Sequence, residues 1–241
     1  MPVRIESAIH DGSLWMWTEG LSRLGQTEIA ILIHGDDSWR AKYGEQLLAY
    51  IERYIASQPK RISVGQTMTY GWNILRYRES QPNDAPSSNG KLIIQEANGA
   101  WRTDHPSYQD GCDDSLRLKR IQDRVIMRHH VSGDAYYPNR QHFAVACSNV
   151  SSQVPASFFM ERLPLGETGD SGEFSQWYFK CADRSHDHER AENLHRLHLS
   201  HIVEQRFEVF PYLALPHGSA VAFEPDKVIV FAPGSDHGHA E

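Results

Sequence analysis

The chain is patterned mostly as short apolar runs, and one stretch has the length and periodicity of a long helix. Apolar runs at residues 28–34, 91–96 and 227–231 are separated by polar stretches that contain glycine or proline. Runs of this size are typical of β-strands. Between residues 39 and 57 the apolar side chains recur at steps of three and four, at Trp39, Tyr43, Leu47, Tyr50, Ile51 and Tyr54. That spacing predicts an amphipathic helix.

This mixture predicts an α+β fold of two small domains, each an antiparallel-rich sheet with one or two packed helices. A length of 241 residues suits such a pair. Gly133, Pro138 and Asn139 interrupt residues 131–140, so the boundary is predicted there, with domains at 1–140 and 141–241. Further elements are predicted as helices at 116–126 and 187–207 and a closing hairpin formed by 219–223 and 227–231.

Cysteine usage and hydropathy indicate a reducing compartment. The three cysteines, Cys112, Cys147 and Cys181, are widely spaced and form no CxxC pair. An odd number of such residues predicts free thiols. No apolar run is long enough to span a bilayer, and the first residues lack the apolar segment of a signal peptide. We therefore expect the protein to stay in the cytoplasm.

The net charge of −7 is concentrated in the second half of the chain. Residues 1–141 contain 17 Lys/Arg and 17 Asp/Glu, whereas residues 142–241 contain 7 Lys/Arg and 14 Asp/Glu. An acidic half repels nucleic acid and attracts a basic protein surface. The alternative is that the acidity serves only solubility.

The second half also contains a recognisable order of motifs. An aromatic segment at 157–162 precedes Asp170-Ser171-Gly172, an aromatic strand follows at 177–179, and an Asp-, His- and Glu-rich stretch leads to a Leu-x-x-Pro-x-Gly-Ser motif at 213–219. This order resembles the immunity protein 33 family, whose members neutralise bacterial polymorphic toxins. The shared residues are Asp170, Ser171, Gly172, Trp177, Phe179, Leu213, Pro216, Gly218 and Ser219. Residues 173–176 are inserted relative to the family pattern.

The resemblance implies a partner-binding protein, not an enzyme, that needs no cofactor and no metal. The implied partner is a cognate secreted toxin acting in the cytoplasm, delivered for instance by type VI secretion. A nuclease is favoured because nucleases have basic clefts, which an acidic protein can occlude stoichiometrically. The predicted toxin contacts are Glu167, Asp170, Glu173, Asp183, Asp187, Glu189 and Glu192, with Trp177 or Tyr178 as aromatic anchors. The first half bears a weaker likeness to suppressor-of-fused-like domains.

Two alternatives remain open from the sequence. Five histidines between residues 186 and 201 could support a metal-dependent hydrolase, namely His186, His188, His195, His198 and His201. Histidines three residues apart on a helix share a face only loosely, and no HExxH motif is present, which disfavours that interpretation. The other alternative is a regulatory protein-interaction scaffold without a toxin partner. A basic run at 117–128 is offset by neighbouring acids, so nucleic-acid binding is not expected.

Overall fold

A computed structural model describes residues 3–35, 37–58, 60–98, 106–152, 156–164, 172–183 and 185–235. The chain divides into two compact units, residues 1–120 and 121–241. Helix α2 (Asp113–Arg128) spans this division. The sequence pattern predicts the domain boundary some twenty residues later, near residue 140, and that boundary stays a prediction.

The first unit is built on a mixed sheet of seven strands in the order β1-β2-β3-β6-β5-β4, with β7 beside β6. The strands are β1 (Arg4–His10), β2 (Ser13–Glu19), β3 (Ile29–His34), β4 (Thr67–Tyr70), β5 (Asn73–Glu79), β6 (Leu92–Ala97) and β7 (Tyr108–Asp110). Only the β3–β6 pairing is parallel, and the other pairings between these strands are antiparallel. The strands predicted at 28–34 and 91–96 are therefore confirmed as β3 and β6.

Helix α1 (Ser38–Ser57) packs against this sheet through the apolar stripe seen in the sequence. Its inner face buries Leu47, Ile51 and Ile55 in one core cluster with strand residues. Gly44 allows a close approach, because a Cβ at this position would lie 2.6 Å from Met16 Sδ. Since real Cβ atoms do not come so near, a side chain there would push the helix off the sheet.

The second unit has a mixed sheet of six strands in the order β11-β8-β10-β9-β12-β13. The strands are β8 (Phe143–Cys147), β9 (Phe158–Arg162), β10 (Phe174–Cys181), β11 (Leu194–His198), β12 (Ala220–Glu224) and β13 (Lys227–Phe231), with the short helices α3 (Ser148–Ser152) and α4 (Leu199–Gln205). β8 and β10 run parallel, and the other neighbours are antiparallel. The predicted closing hairpin is confirmed as β12 and β13. With two sheet-rich units and few helices, the predicted α+β fold class is also confirmed.

One predicted element is wrong. The pattern at 187–207 predicts a single helix, but residues 194–198 form β11 and only Leu199–Gln205 are α-helical. β11 completes the sheet edge by pairing with β8. Tertiary pairing has overridden a helix-like spacing of Leu194, Leu197 and Ile202, as it often does in short segments. In the part of the chain that the structure describes, no helix is both long and apolar enough to cross a membrane.

Candidate functional site

Two cysteines meet at one edge of the second sheet. β8 and β10 are adjacent and parallel, so their carboxyl ends lie together, and Cys147 and Cys181 are the last residues of these strands. Both cysteines are buried and free. The backbone N–H of Cys181 donates a hydrogen bond to Cys147 Sγ at 3.3 Å. The sheet topology thus brings together two thiols that are 34 residues apart in sequence.

Two histidines from the segment after β10 join these thiols. Cys147, Cys181, His186 and His188 each direct one Sγ or ring nitrogen to a common point, and these atoms all lie within 4.8 Å of one another. His188 Nε2 is 3.4 Å from Cys181 Sγ. Asn149 Nδ2 donates to the same sulfur at 3.5 Å. We call these four residues the Cys/His cluster.

The electrostatics of the Cys/His cluster favour neutral groups. Burial raises the pKa of the Cys181 thiol, chiefly by desolvating the thiolate. Desolvation lowers the pKa of His188, and the neighbouring His186 and Lys180 lower it further. Among the described residues, the buried Nε2 of His186 has no hydrogen-bond partner. The cluster therefore gathers thiols and imidazoles in their neutral forms, whose sulfur and nitrogen atoms carry lone pairs.

The Cys/His cluster adjoins an exposed acidic segment within residues 182–193, of which the structure describes 182–183 and 185–193. Asp183 accepts hydrogen bonds from the backbone N–H of Ser185 at 2.9 Å and its hydroxyl at 2.7 Å. Arg190 pairs with Asp187 at 3.2 Å and with Glu192 at 3.6 Å. Four of the predicted contact residues lie here, all exposed: Asp183, Asp187, Glu189 and Glu192. Asp183, Asp187 and Glu192 thus contact neighbouring residues of the same segment.

Glu173, another predicted contact residue, lies at the opposite end of β10 from the acidic segment. Glu173 precedes the first residue of β10 and pairs with Arg196 at 3.6 Å. The eight residues of β10 separate it from the acidic segment by roughly 26 Å of extended strand. Glu167 and Asp170 lie outside the described residues. The predicted contact residues therefore do not form one patch.

Trp177, predicted as an aromatic anchor, is a core residue in the structure. It is 1% exposed, and its Nε1 donates to the carbonyl of Leu213 at 3.0 Å. Since the ring has no accessible face to offer a partner, it cannot serve as an anchor in this conformation. The sequence alternation of the strand correctly indicated a buried face but could not tell core packing from partner binding.

Other shared motif residues hold the same core together. The N–H of Arg162 donates to the carbonyl of Ser219, and the N–H of Gly218 donates to the carbonyl of Arg162, both at 2.8 Å. The buried Arg162 guanidinium donates to the carbonyl of Leu215 at 2.6 Å. The Leu-x-x-Pro-x-Gly-Ser motif thus closes around β9. Its role is to fix the fold.

Residues 173–176, predicted to be an insertion relative to the family pattern, include part of a bulge in β10. The register with β8 shifts between Phe174 and Tyr178, and Gln176 takes φ 61°, a left-handed conformation that is uncommon without glycine. Trp177 is buried within this irregular stretch of the strand.

Two aromatic side chains lie at the surface beside the acidic segment. Tyr178 is partly exposed and donates its hydroxyl to the carbonyl of His188 at 2.6 Å. Burial raises the pKa of Tyr178 to about 12, so the hydroxyl stays protonated. Phe159, which pairs with Lys180 across β9 and β10, is 42% exposed and was not predicted. The signal was available: of two successive phenylalanines in a strand, one must face away from the core.

The remaining histidines of the predicted group are not part of the Cys/His cluster. His195 Nδ1 contacts the hydroxyl of Ser151 at 2.8 Å, and His198 Nδ1 contacts the carbonyl of Gln141 at 2.7 Å. His201 is exposed on α4 and packs edge-on against His198. The metal-dependent hydrolase alternative assumed that these histidines lie on one helix, and that assumption is wrong because residues 194–198 form β11 and α4 begins at Leu199.

The first unit has a polar cleft of about 370 Å³, lined by His34, Arg40, Glu96, Gln109, Asp110, Asp113 and Asp114. Its deepest group, Glu96, accepts hydrogen bonds from the N–H groups of Asp114 and Ser115 at 3.1 and 2.7 Å. These donors are at the amino end of α2, where a carboxylate is stabilising. His34 Nδ1 lies 2.7 Å from Asp113. Glu96 thus caps the amino end of α2.

A comparison with protein-family models bears on the second half of the chain. Residues 122–232 match the model of the Imm33-like domain. The resemblance to the immunity protein 33 family, inferred from the motifs of the second half, is confirmed over that region. Neither a curated protein nor a solved structure matches the chain. The likeness of the first half to suppressor-of-fused-like domains stays a prediction.

Proposed function

We propose that this protein, whose second half is similar to the Imm33-like domain, is an immunity protein that binds and neutralises a cognate bacterial toxin. The match over residues 122–232 is the observation that carries the proposal. The motif residues that support the resemblance are largely buried and hold the fold. We therefore infer that recognition depends on exposed residues and not on these buried motif positions.

The acidic segment 182–193 is the surface that we propose to meet the toxin. Its exposed carboxylates would attract a basic surface and speed the encounter. Charge at the rim contributes little affinity by itself, and interfaces usually need a buried aromatic anchor. Tyr178 and Phe159 stand beside the segment and could supply that anchor. Glu167, Asp170 and Glu173 stay predicted as a second contact region.

The finer parts of the proposal follow from the acidic charge. We propose a cytoplasmic protein whose target is a nuclease, because nucleases bind polyanions in basic clefts that an acidic segment can occupy. Inhibition would then be stoichiometric occlusion of the active site, with no chemistry performed by the immunity protein. A regulatory scaffold would have the same surface but no toxin.

Growth protection tests the proposal. The toxin encoded beside this gene, if one is present, is expressed with the wild-type protein or with a Glu189→Lys/Glu192→Lys double variant. We expect survival and co-purification with the wild type, and about 100-fold weaker binding by the variant. Glu204→Lys/Asp226→Lys is the matched control, since both acids are exposed in the same unit and the charge change is identical. Failure of the wild type to bind or protect would reject immunity.

A further inference from the structure

We propose that Cys147, Cys181, His186 and His188 form a structural Zn²⁺ site that holds the acidic segment in place. Their four potential ligand atoms converge within 4.8 Å. Two thiolates and two imidazoles are a preferred donor set for Zn²⁺, and a closed set of four protein ligands is typical of structural sites. A catalytic zinc would require an open position, so this geometry does not support the metal-dependent hydrolase.

The distances fit a tetrahedral ion after a small contraction. Zn–S bonds of about 2.3 Å and Zn–N bonds of about 2.0–2.1 Å set sulfur–nitrogen separations of about 3.5 Å. The Cys181 Sγ to His188 Nε2 distance is 3.4 Å. The other ligand atoms, at most 4.8 Å apart, need to move by no more than about 1.5 Å to complete the tetrahedron.

The surroundings of the four residues also suit a metal–thiolate site. The backbone N–H of Cys181 donates to Cys147 Sγ, and Asn149 Nδ2 donates to Cys181 Sγ. Donors of this kind stabilise the negative sulfur of a bound thiolate. The buried Nε2 of His186 lacks a partner among the described residues, and a metal bond would satisfy it. On binding, the two thiols release their protons to solvent, and no electron is transferred.

The Zn²⁺ site would connect the second sheet to the acidic segment. Cys147 and Cys181 terminate two paired strands, whereas His186 and His188 lie within the acidic segment. A shared ion would therefore fix the segment to the sheet edge and reduce the conformational entropy lost when a partner binds. The consequence for toxin binding rests on the proposed function, but the metal site itself does not.

Cobalt substitution of the full-length protein tests the site. The protein is stripped of metal with a chelator under reducing conditions and titrated with Co²⁺ alone. We expect one equivalent to bind with the intense visible bands of tetrahedral coordination, a thiolate-to-cobalt charge-transfer band and the release of about two protons. Only weak octahedral bands, or no binding by the reduced protein, would overturn the proposal. So would a Cys147–Cys181 disulfide in protein isolated from a reducing cytoplasm.

Variants locate the ion. Cys181→Ser is expected to weaken Co²⁺ binding by about 100-fold or more and to reduce the charge-transfer band, because a hydroxyl is a poor ligand for soft metals. His186→Gln, at a half-exposed position, provides a second test should the buried serine prevent folding. Cys112→Ser and His195→Gln are the controls, since each removes the same type of group outside the four residues. Equal binding by all variants would contradict the assignment.

Limited proteolysis reports on the segment. Trypsin can cleave after Arg190, which is exposed in the middle of the acidic segment. We expect Zn²⁺ to slow this cleavage by about tenfold or more in the wild type, because cleavage requires local opening. The His186→Gln variant should show no such protection. A cleavage rate that is independent of Zn²⁺ in the wild type would show that the segment is not held by a metal.

Discussion

The two units differ in how the polar groups of their clusters are paired. In the first unit, Glu96 is 1% exposed and its carboxylate meets donors at the amino end of α2. In the second, the Cys/His cluster gathers acceptors and leaves Nε2 of His186 without a partner among the described residues. The carboxylate of Glu96 is satisfied by groups of its own chain, whereas the converging sulfur and nitrogen atoms of the Cys/His cluster suit the proposed Zn²⁺ ion.

Metal removal should produce the largest difference in stability between the two units, because it should destabilise only the second. We expect zinc to stabilise the second unit by about 4 kcal/mol when free metal exceeds its dissociation constant 1,000-fold, because the ion binds only the folded state. Glu96 and its partners should not respond. Hydrogen exchange followed with and without chelator measures both regions in one sample. Equal loss of protection in β6 and β10 would contradict the comparison.

Removing the carboxylate of the first cluster should have the next largest effect. Glu96→Ala leaves the N–H groups of Asp114 and Ser115 without their acceptor in a buried site. We expect a loss of about 3 kcal/mol in the free energy of unfolding, measured by denaturant titration. Glu28→Ala offers a comparison, since Glu28 also binds several backbone N–H groups but is less buried. A larger loss at Glu28 would contradict the role given to burial.

The ionisation of Glu96 should have a smaller effect, seen in the pH dependence of the free energy of unfolding. Burial raises the pKa of Glu96 above its usual 4.5, although hydrogen bonds from Ser115 and Asp114 oppose the shift. The folded state therefore holds this proton more tightly than the unfolded chain. Stability is then expected to fall as pH rises from about 4.5 through the folded pKa. Glu96→Gln should remove that component, and an unchanged pH profile in this variant would refute the assignment.

Charge changes on the acidic segment should barely affect stability. We expect Glu189→Lys/Glu192→Lys to change the free energy of unfolding by no more than about 0.5 kcal/mol, because exposed ion pairs contribute little. Thermal melts of this variant and of Glu204→Lys/Asp226→Lys provide the check. A large loss would mean that the acids serve the fold, and a specific loss of toxin binding could not then be assigned to contact.

Much of the fold follows from local pattern. The stripe of α1, the apolar run of β3 and the hairpin of β12 and β13 are long or regular enough to be predicted. The span 187–207 is predicted as a helix, and Leu194, Leu197 and Ile202 would lie on one face of it, yet pairing with β8 makes residues 194–198 a strand. Such pairing depends on a partner far away in sequence, which local periodicity does not report.

The candidate site was less predictable for the same reason. The sequence contains a dense group of histidines that includes His186 and His188, but it does not indicate that Cys147 and Cys181 lie beside them. The parallel pairing of β8 and β10 brings the two cysteines together next to these histidines. No short spacing motif joins these residues. Trp177 shows a second limit of sequence-based prediction. A residue shared with a family can serve core packing and make no contact with a partner protein.

X-ray absorption at the zinc edge of the purified, reduced protein tests the central claim most directly. The account predicts one zinc per chain with two sulfur ligands at about 2.3 Å and two nitrogen ligands at about 2.0–2.1 Å. Protein from zinc-replete cells that contains no zinc, or zinc surrounded only by oxygen and nitrogen, would contradict it.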